Sequence, residues 1–262
     1  MLGIVKSKII KSKIKTNPYP YIFIKNLLGK ETIKELNNIL PKFNELEDDQ
    51  VLFQSSSKTK KTLMPDSLIY KNLNKKKIFN NFNLLFKKLK PVILNKFKKE
   101  IKKYVNKDFI NSKLNYHSSY SVSKSGYLKS AHIDRRDHLI TIIFYVDSDN
   151  NKGGDICINK VKSDGKKTFD IFPNKKEIKI HKQFKVTANS CLIILNLPWA
   201  YHSVNKYYGK TDRKYFYCVY DFKILKSGSI KQNRQKGYNE NNFWKHSVQI
   251  NSSKRKKIFL SE

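Results

Sequence analysis

At 262 residues, 39% of them hydrophobic and 13% aromatic, the chain can bury a substantial core and is too apolar to be a disordered protein. No apolar run reaches the ~20 residues of a membrane-spanning helix, and the basic start "MLGIVKSKIIKSKIK" lacks the apolar core of a secretory signal, so a cytoplasmic protein with no membrane insertion is expected. The formal net charge of +33 points to polyanions, yet only five of the 54 basic residues are Arg and the lysines are spread along nearly the whole chain. That pattern reads as compositional drift with a solvated basic surface, with a dedicated polyanion site as the alternative, and the charge predicts non-specific, salt-sensitive nucleic-acid binding.

In chain order, residues 1–16 read as a basic N-terminal arm, and "NPYPYIFIKNLL" (17–28) as an opening strand behind two prolines. Ile33, Leu36, Leu40 and Phe43 are spaced for one helix face, with Pro41 marking its end. Residues 51–67 are loop-like. From about 68 to 105, Leu84, Leu85, Leu89, Val92, Ile93, Phe97 and Ile101 recur at threes and fours, which predicts one or two helices kinked or broken at Pro91. Helical support therefore covers 30–106.

After residue 110 the character turns to β, with candidate strands at 114–123, 139–146, 154–159, 167–172, 177–187, 190–197 and 214–222. Gly153-Gly154, Asp164-Gly165 and Pro198 punctuate them. Strands this short and closely spaced predict a sandwich or barrel, here with its core over 110–223. One domain over 17–225 is expected, followed by a basic polar tail at 226–262 that Trp244 pins to the body. Cys157, Cys191 and Cys218 have no C-x-x-C spacing and sit in apolar contexts, as buried reduced thiols do.

The chemistry concentrates in "SAHIDRRDHLITIIFYV" (130–146). His132 and Asp134 are two apart at the entrance to a strand, where side chains i and i+2 share a face and can converge on one ion. Two His and one carboxylate on a face of an octahedron suit non-haem Fe(II) and leave three positions open. His202, between the strands "SCLIILNL" and "YFYCVY", is the candidate third ligand. Arg213, eleven residues on, offers a planar fork for the distal carboxylate of a keto acid.

The ordered set His132-x-Asp134, "ITIIFYV", Gly153-Gly154-Asp155, His202-Ser203-Val204, and Gly209 ahead of Arg213 resembles the iron(II)/2-oxoglutarate-dependent dioxygenases, particularly the prolyl-4-hydroxylase type. "NPYPYIFIKNLLGKETIKELNNILPKF" is similar to their opening strand and helix, so the resemblance covers most of 17–222. It implies a mostly β fold with flanking helices, a double-stranded β-helix (jelly roll, cupin-like) buttressed by the N-terminal helices. It further implies Fe(II) on His132, Asp134 and His202, and the C5 carboxylate of 2-oxoglutarate on Arg213, with Lys214 as the alternative. The activity implied is hydroxylation of an unactivated C–H of a prolyl peptide or small molecule, consuming O2, releasing succinate and CO2, and drawing on ascorbate as an optional reductant. Competing readings are a nucleic-acid-modifying oxygenase of the same fold and a non-catalytic cupin-like binding module. The alkylated-base demethylases usually carry a second Arg six residues after the first, where this chain has Val219. Such enzymes also often place a Tyr nine residues before the first His; here that position is Ser123, with Tyr120 and Tyr127 nearby. Residues 159–185 read as an insertion, His138 as a supporting residue, and Arg135 and Arg136 as flanking charges that an acidic substrate at the barrel mouth would use.

Overall fold

The computed structural model describes residues 1–46, 58–63, 65, 67–104, 114–134, 138–148, 152–162, 172–197 and 199–222. Two antiparallel sheets dominate it. The larger has six strands: β1 (Tyr21–Ile24), β2 (Lys60–Leu63), β3 (Leu114–Ser123), β5 (His138–Asp147), β8 (Ser190–Leu195) and β10 (Arg213–Phe222), in the order β1-β8-β5-β10-β3-β2. The smaller has β4 (Lys129–His132), β6 (Ile156–Val161), β7 (Ile178–Phe184) and β9 (His202–Val204), in the order β4-β9-β6-β7. Two antiparallel sheets with helices stacked on one of them form the expected helix-buttressed jelly roll.

Strand alternation sorts the large sheet into two faces. Phe144 on β5 and Phe216 on β10 point outward onto Phe82 of α4 (Lys77–Lys96), with ring centroids 5.1 and 4.5 Å away. Tyr220, four residues beyond Phe216, donates from its hydroxyl to Phe86 O at 2.5 Å. The intervening residues Thr141, Tyr145, Arg213 and Tyr215 turn inward, between the sheets. The helical layer thus fixes one face of β5 and β10 and thereby aims the other.

Several sequence expectations change. Residues 1–16, read as an arm, instead begin with a helix, α1 (Leu2–Lys11), whose Val5 and Ile9 are fully buried. The i, i+4 pair was masked by lysines on either side, and Lys96 secures the helix by donating to Ile10 O at 2.7 Å. Pro91 does not end a helix: α4 runs through it, and the break falls at Phe97, before α5 (Lys98–Tyr104). Pro91 is exposed, on the side of the helix where water can replace the bond its ring removes. The loop-like stretch 51–67 contributes β2, paired with β3, and α3 (Leu68–Asn74) starts right after Ser67, whose hydroxyl accepts from Tyr70 N. The helix predicted before Pro41 is α2 (Lys30–Ile39). The strand predicted at 167–172 lies largely outside the described residues, as do the tail 226–262 and its Trp244. The three cysteines are free and buried.

Phe82 is 1% exposed and touches Phe86, Phe144 and Phe216 at once. Phe82→Ala should cost about 3–5 kcal/mol, read from the midpoint of urea unfolding followed by circular dichroism.

Candidate metal centre

His132 closes β4 and His202 opens β9, and the two are direct cross-strand partners. Their ring centroids lie 4.4 Å apart. Each imidazole places Nδ1 on the carbonyl two residues back, His132 on Ser130 O at 2.8 Å and His202 on Ala200 O at 3.1 Å. A carbonyl can only accept, so Nδ1 carries a proton in each ring, and in the neutral imidazole Nε2 keeps its lone pair. Both Nε2 atoms face the same oxygen, Asp134 Oδ1, at 3.8 and 3.7 Å.

Two lone-pair nitrogens aimed at a carboxylate oxygen, with no proton between them, are short of a cation. Asp134 is 8% exposed and His202 3%. Burial holds His132 well below the ordinary imidazole range, and His202 beside it pushes the same way. Burial alone would raise the Asp134 carboxyl, but His202 and His132 outweigh it and keep the group ionised. Neutral imidazoles and an ionised carboxylate are the protonation states that metal ligation needs. Two atoms each about 2.1 Å from one ion lie at most about 4.2 Å apart, and both His–Asp separations satisfy that limit. These three residues form a group whose donor atoms all lie within 4.8 Å of one another.

Thr141 completes the arrangement by donating from Oγ1 to Asp134 Oδ2 at 2.7 Å, which turns Oδ1 toward the histidines. This role was not read from the sequence, although a lone Thr in "LITIIFYV" is a usable signal: an apolar strand keeps a hydroxyl only where something accepts it. His138, which opens β5, places Nδ1 3.1 Å from the Tyr217 hydroxyl. On the solvent side, Phe172 is 51% exposed and stacks on His132 at 6.3 Å, with Lys129 Nζ 5.6 Å above the Phe172 ring. Arg135 and Arg136 lie outside the described residues.

Arg213 sits on the same inner surface, toward the other end of β5. It packs on Tyr145, its guanidinium carbon 4.4 Å from the ring centre, and lies 5.7 Å from the ring of Tyr207. Thr141 and Tyr145 are four residues apart on one strand face, about 13 Å, so the residues that hold the histidine cluster and the guanidinium share one inner face of β5. Arg213 is 1% exposed, and its Nε, Nη1 and Nη2 have no hydrogen-bond partner among the described residues. Ser123, opposite Arg213 in the β3–β10 register, is fully buried with its hydroxyl likewise unpartnered there. Gly154 makes room for this placement. Its φ of +70° is one that side chains avoid, and a Cβ there would collide with Arg213 Nη1.

Lys214, the alternative anion partner, is directed to the opposite face. Its Nζ donates to Asn37 O at 3.1 Å and Leu40 O at 3.2 Å, carbonyls at the end of α2, and it lines a groove of about 800 Å3 on the helical side. Strand alternation, invisible in the spacing from His202, separates the two neighbours. Val219, where a second Arg was sought, is a buried strand residue. His117 is exposed and pairs with Asp221 at 3.2 Å, away from the cluster's donor set.

No protein-family model matches the chain, and no curated protein matches it significantly. Solved structures do. The non-haem α-ketoglutarate-dependent epimerase SnoN of nogalamycin biosynthesis superposes with a TM-score of 0.50 at 10% identity, over 84% of this chain and 80% of that one. A prolyl-4-hydroxylase of Pseudomonas putida gives 0.49 at 11% identity, over 86% of this chain and 100% of that one. The viral collagen prolyl hydroxylase vCPH of Paramecium bursaria Chlorella virus-1, solved with 2-oxoglutarate, gives 0.45 at 12%, over 78% and 96%.

The cluster predicts one binding site for a divalent first-row metal. Anaerobic titration with Fe(II) or Mn(II) should give one equivalent bound, His202→Ala should abolish it, and Thr141→Val should weaken it roughly 10- to 100-fold. In fold, the chain is similar to that α-ketoglutarate-dependent epimerase.

Proposed function

We propose that the chain is an Fe(II)- and 2-oxoglutarate-dependent oxygenase that hydroxylates an unactivated C–H bond of a peptide or small molecule, with release of succinate and CO2. His132, Asp134 and His202 hold the iron in this reading, and Arg213 holds the C5 carboxylate of 2-oxoglutarate. The observation that carries it is the Arg213 guanidinium: buried, on the inner face, with all three nitrogens unpartnered among the described residues. A charge removed from water without a counter-charge costs several kcal/mol, and the packed Tyr145 ring returns about 2 kcal/mol of that. A carboxylate delivered by the co-substrate supplies the remainder through charge-assisted hydrogen bonds.

Iron and 2-oxoglutarate, when bound, supply the activation of O2, with ascorbate as the reductant that keeps the metal in its working state. The chain's own residues bind, orient and exclude water. The backbone carbonyls of Ser130 and Ala200 fix the tautomers of the two histidines. Thr141 fixes the carboxylate rotamer of Asp134. Tyr145 and Tyr207 wall the guanidinium so that only a ligand entering the barrel reaches it. Two imidazoles and one carboxylate leave three octahedral positions, enough for a bidentate keto acid and one more ligand.

Two features support a hydroxylase of this kind over a barrel kept only for binding: the three donor side chains lie together, and a buried inner-face guanidinium is unpartnered among the described residues. The test is succinate formation by the purified protein with Fe(II), 2-oxoglutarate and ascorbate, before and after addition of candidate prolyl peptides. Arg213→Met should raise the KM for 2-oxoglutarate by at least roughly thirtyfold, the usual result of removing one partner of a buried charge pair. Gly154→Ala should raise it too while leaving metal binding intact, because the added methyl meets the guanidinium and the Tyr207 ring and none of the three donor side chains. An unchanged KM in both variants would remove Arg213 from the role.

A further inference from the structure

The positive charge is not spread evenly over the folded protein. Helices α1, α4 and α5 carry three, five and four lysines, against a single acid, Glu100. Acids lie on other elements, such as Glu31 and Glu35 on α2, Asp147 at the end of β5 and Asp212 ahead of β10. Drift in composition raises lysine everywhere; it does not by itself clear acids from one layer.

The three helices are joined into one layer. Lys96, at the end of α4, bonds Ile10 O of α1, and α5 begins two residues later. Three of the lysines are structural, since Lys8 donates to Asn26 O, Lys90 to Leu114 O and Lys96 to Ile10 O. Others, among them Lys6, Lys11, Lys88, Lys98, Lys99 and Lys102, are exposed. The layer also displays apolar side chains that the fold does not need. Val5 and Ile9 seat α1 on the core, which leaves Leu2 42%, Ile4 54% and Ile10 51% exposed.

We propose that the face formed by α1, α4 and α5 docks on an anionic lipid surface. Exposed Ile beside Lys is the composition of an interfacial helix: the apolar groups enter the boundary between headgroups and acyl chains while the ammonium groups reach lipid phosphates and carboxylates. Isolated basic residues would serve a nucleic-acid backbone equally well, but exposed Leu2, Ile4 and Ile10 gain nothing on phosphates. Among the described residues no helix is long and apolar enough to cross a membrane, so the contact is with the surface. The helical layer covers the outer face of the large sheet, whereas Thr141, Tyr145 and Arg213 face inward, so a docked protein keeps its barrel free.

The test is co-sedimentation of the full chain with vesicles of phosphatidylcholine alone or mixed with phosphatidylserine, and anisotropy with a labelled DNA duplex. Binding to the mixed vesicles and not to phosphatidylcholine is expected, weakening as salt rises. Combined Lys88→Glu, Lys98→Glu, Lys99→Glu and Lys102→Glu should weaken it by at least roughly a hundredfold, taking each lysine at a few-fold. Ile4→Ser with Ile10→Ser should weaken it by roughly tenfold at unchanged charge. The same number of reversals at Lys25, Lys30, Lys34 and Lys210, exposed on other elements, should have a much smaller effect. Equal losses in the two reversal sets would mean attraction by net charge alone and overturn the proposal. It is equally overturned if the isoleucine pair has no effect on vesicle binding, or if the duplex binds more tightly than the mixed vesicles and loses that affinity in the face variant. Thermal unfolding of each variant checks that the fold survives; the isoleucine pair, exposed in the structure, carries the test if the lysine set does not fold.

Discussion

A guanidinium buried with no hydrogen-bond acceptor among the described residues is the constraint around which this barrel is arranged. Arg213 is held by stacking rather than by hydrogen bonds: Tyr145 lies against it, Tyr207 stands beyond, and Gly154 leaves the space its Nη1 fills. Stacking is directional but does not satisfy N–H donors, so those donors stay available to a ligand. A carboxylate built into the protein at the same place would have made a more stable apoprotein and closed the site. Under the proposed function, part of the binding energy of the co-substrate's carboxylate is stored as an unmet requirement of the guanidinium.

That requirement is held in place by packing on the far side of the same strands. Phe144 and Phe216 are locked against Phe82, so β5 and β10 cannot rotate or slip by one residue without exposing an aromatic cluster and turning Arg213 outward. The distance between the histidine cluster and the guanidinium is therefore set by strand pitch. Helix packing, sheet register and the spacing of the two ends of the site are one mechanical unit, which is why a fold can persist at sequence identities near 10% while its particular side chains drift.

The parts legible in the sequence are those with a short-range signature. His132 and Asp134 could be paired because an i, i+2 relation is decided by local extended backbone, and Gly153-Gly154 because only a turn uses two such residues. Strands β3, β5, β8 and β10 were found within a residue or two of their positions, since buried β-formers in runs of eight to ten leave little ambiguity. What stayed hidden depends on register. Arg213 and Lys214 are equivalent in one dimension, and only the pairing Arg213↔Ser123 on an inward face distinguishes them. The helix α1 was hidden because two buried residues, Val5 and Ile9, among lysines make a weak pattern that tertiary packing against α4 completes. Pro91 misled for the opposite reason: a strong local rule yields when the residue lies on the solvent side of a long, well-packed helix.

Charge balance ties the two ends of the site together. As metal ligands the two histidines would be neutral, each with Nδ1 on a carbonyl, and the cluster would contribute the single negative charge of Asp134. Among the described residues Arg213 contributes one positive charge further along the same strand face, so these groups are neutral in sum but polarised along it. A divalent metal alone would leave two uncompensated positive charges in a low-dielectric space, and a dicarboxylate alone two negative ones. Bound together they cancel, the keto acid's near carboxylate against the metal and its far carboxylate against Arg213. Under the proposed function, each ligand therefore raises the affinity of the other through electrostatics alone, and by linkage the coupling is the same in both directions. Among the described residues, Arg213 is the cation that faces the interior on the strand face shared with the cluster, whereas the exposed lysines of the helical layer bear on what the protein rests against.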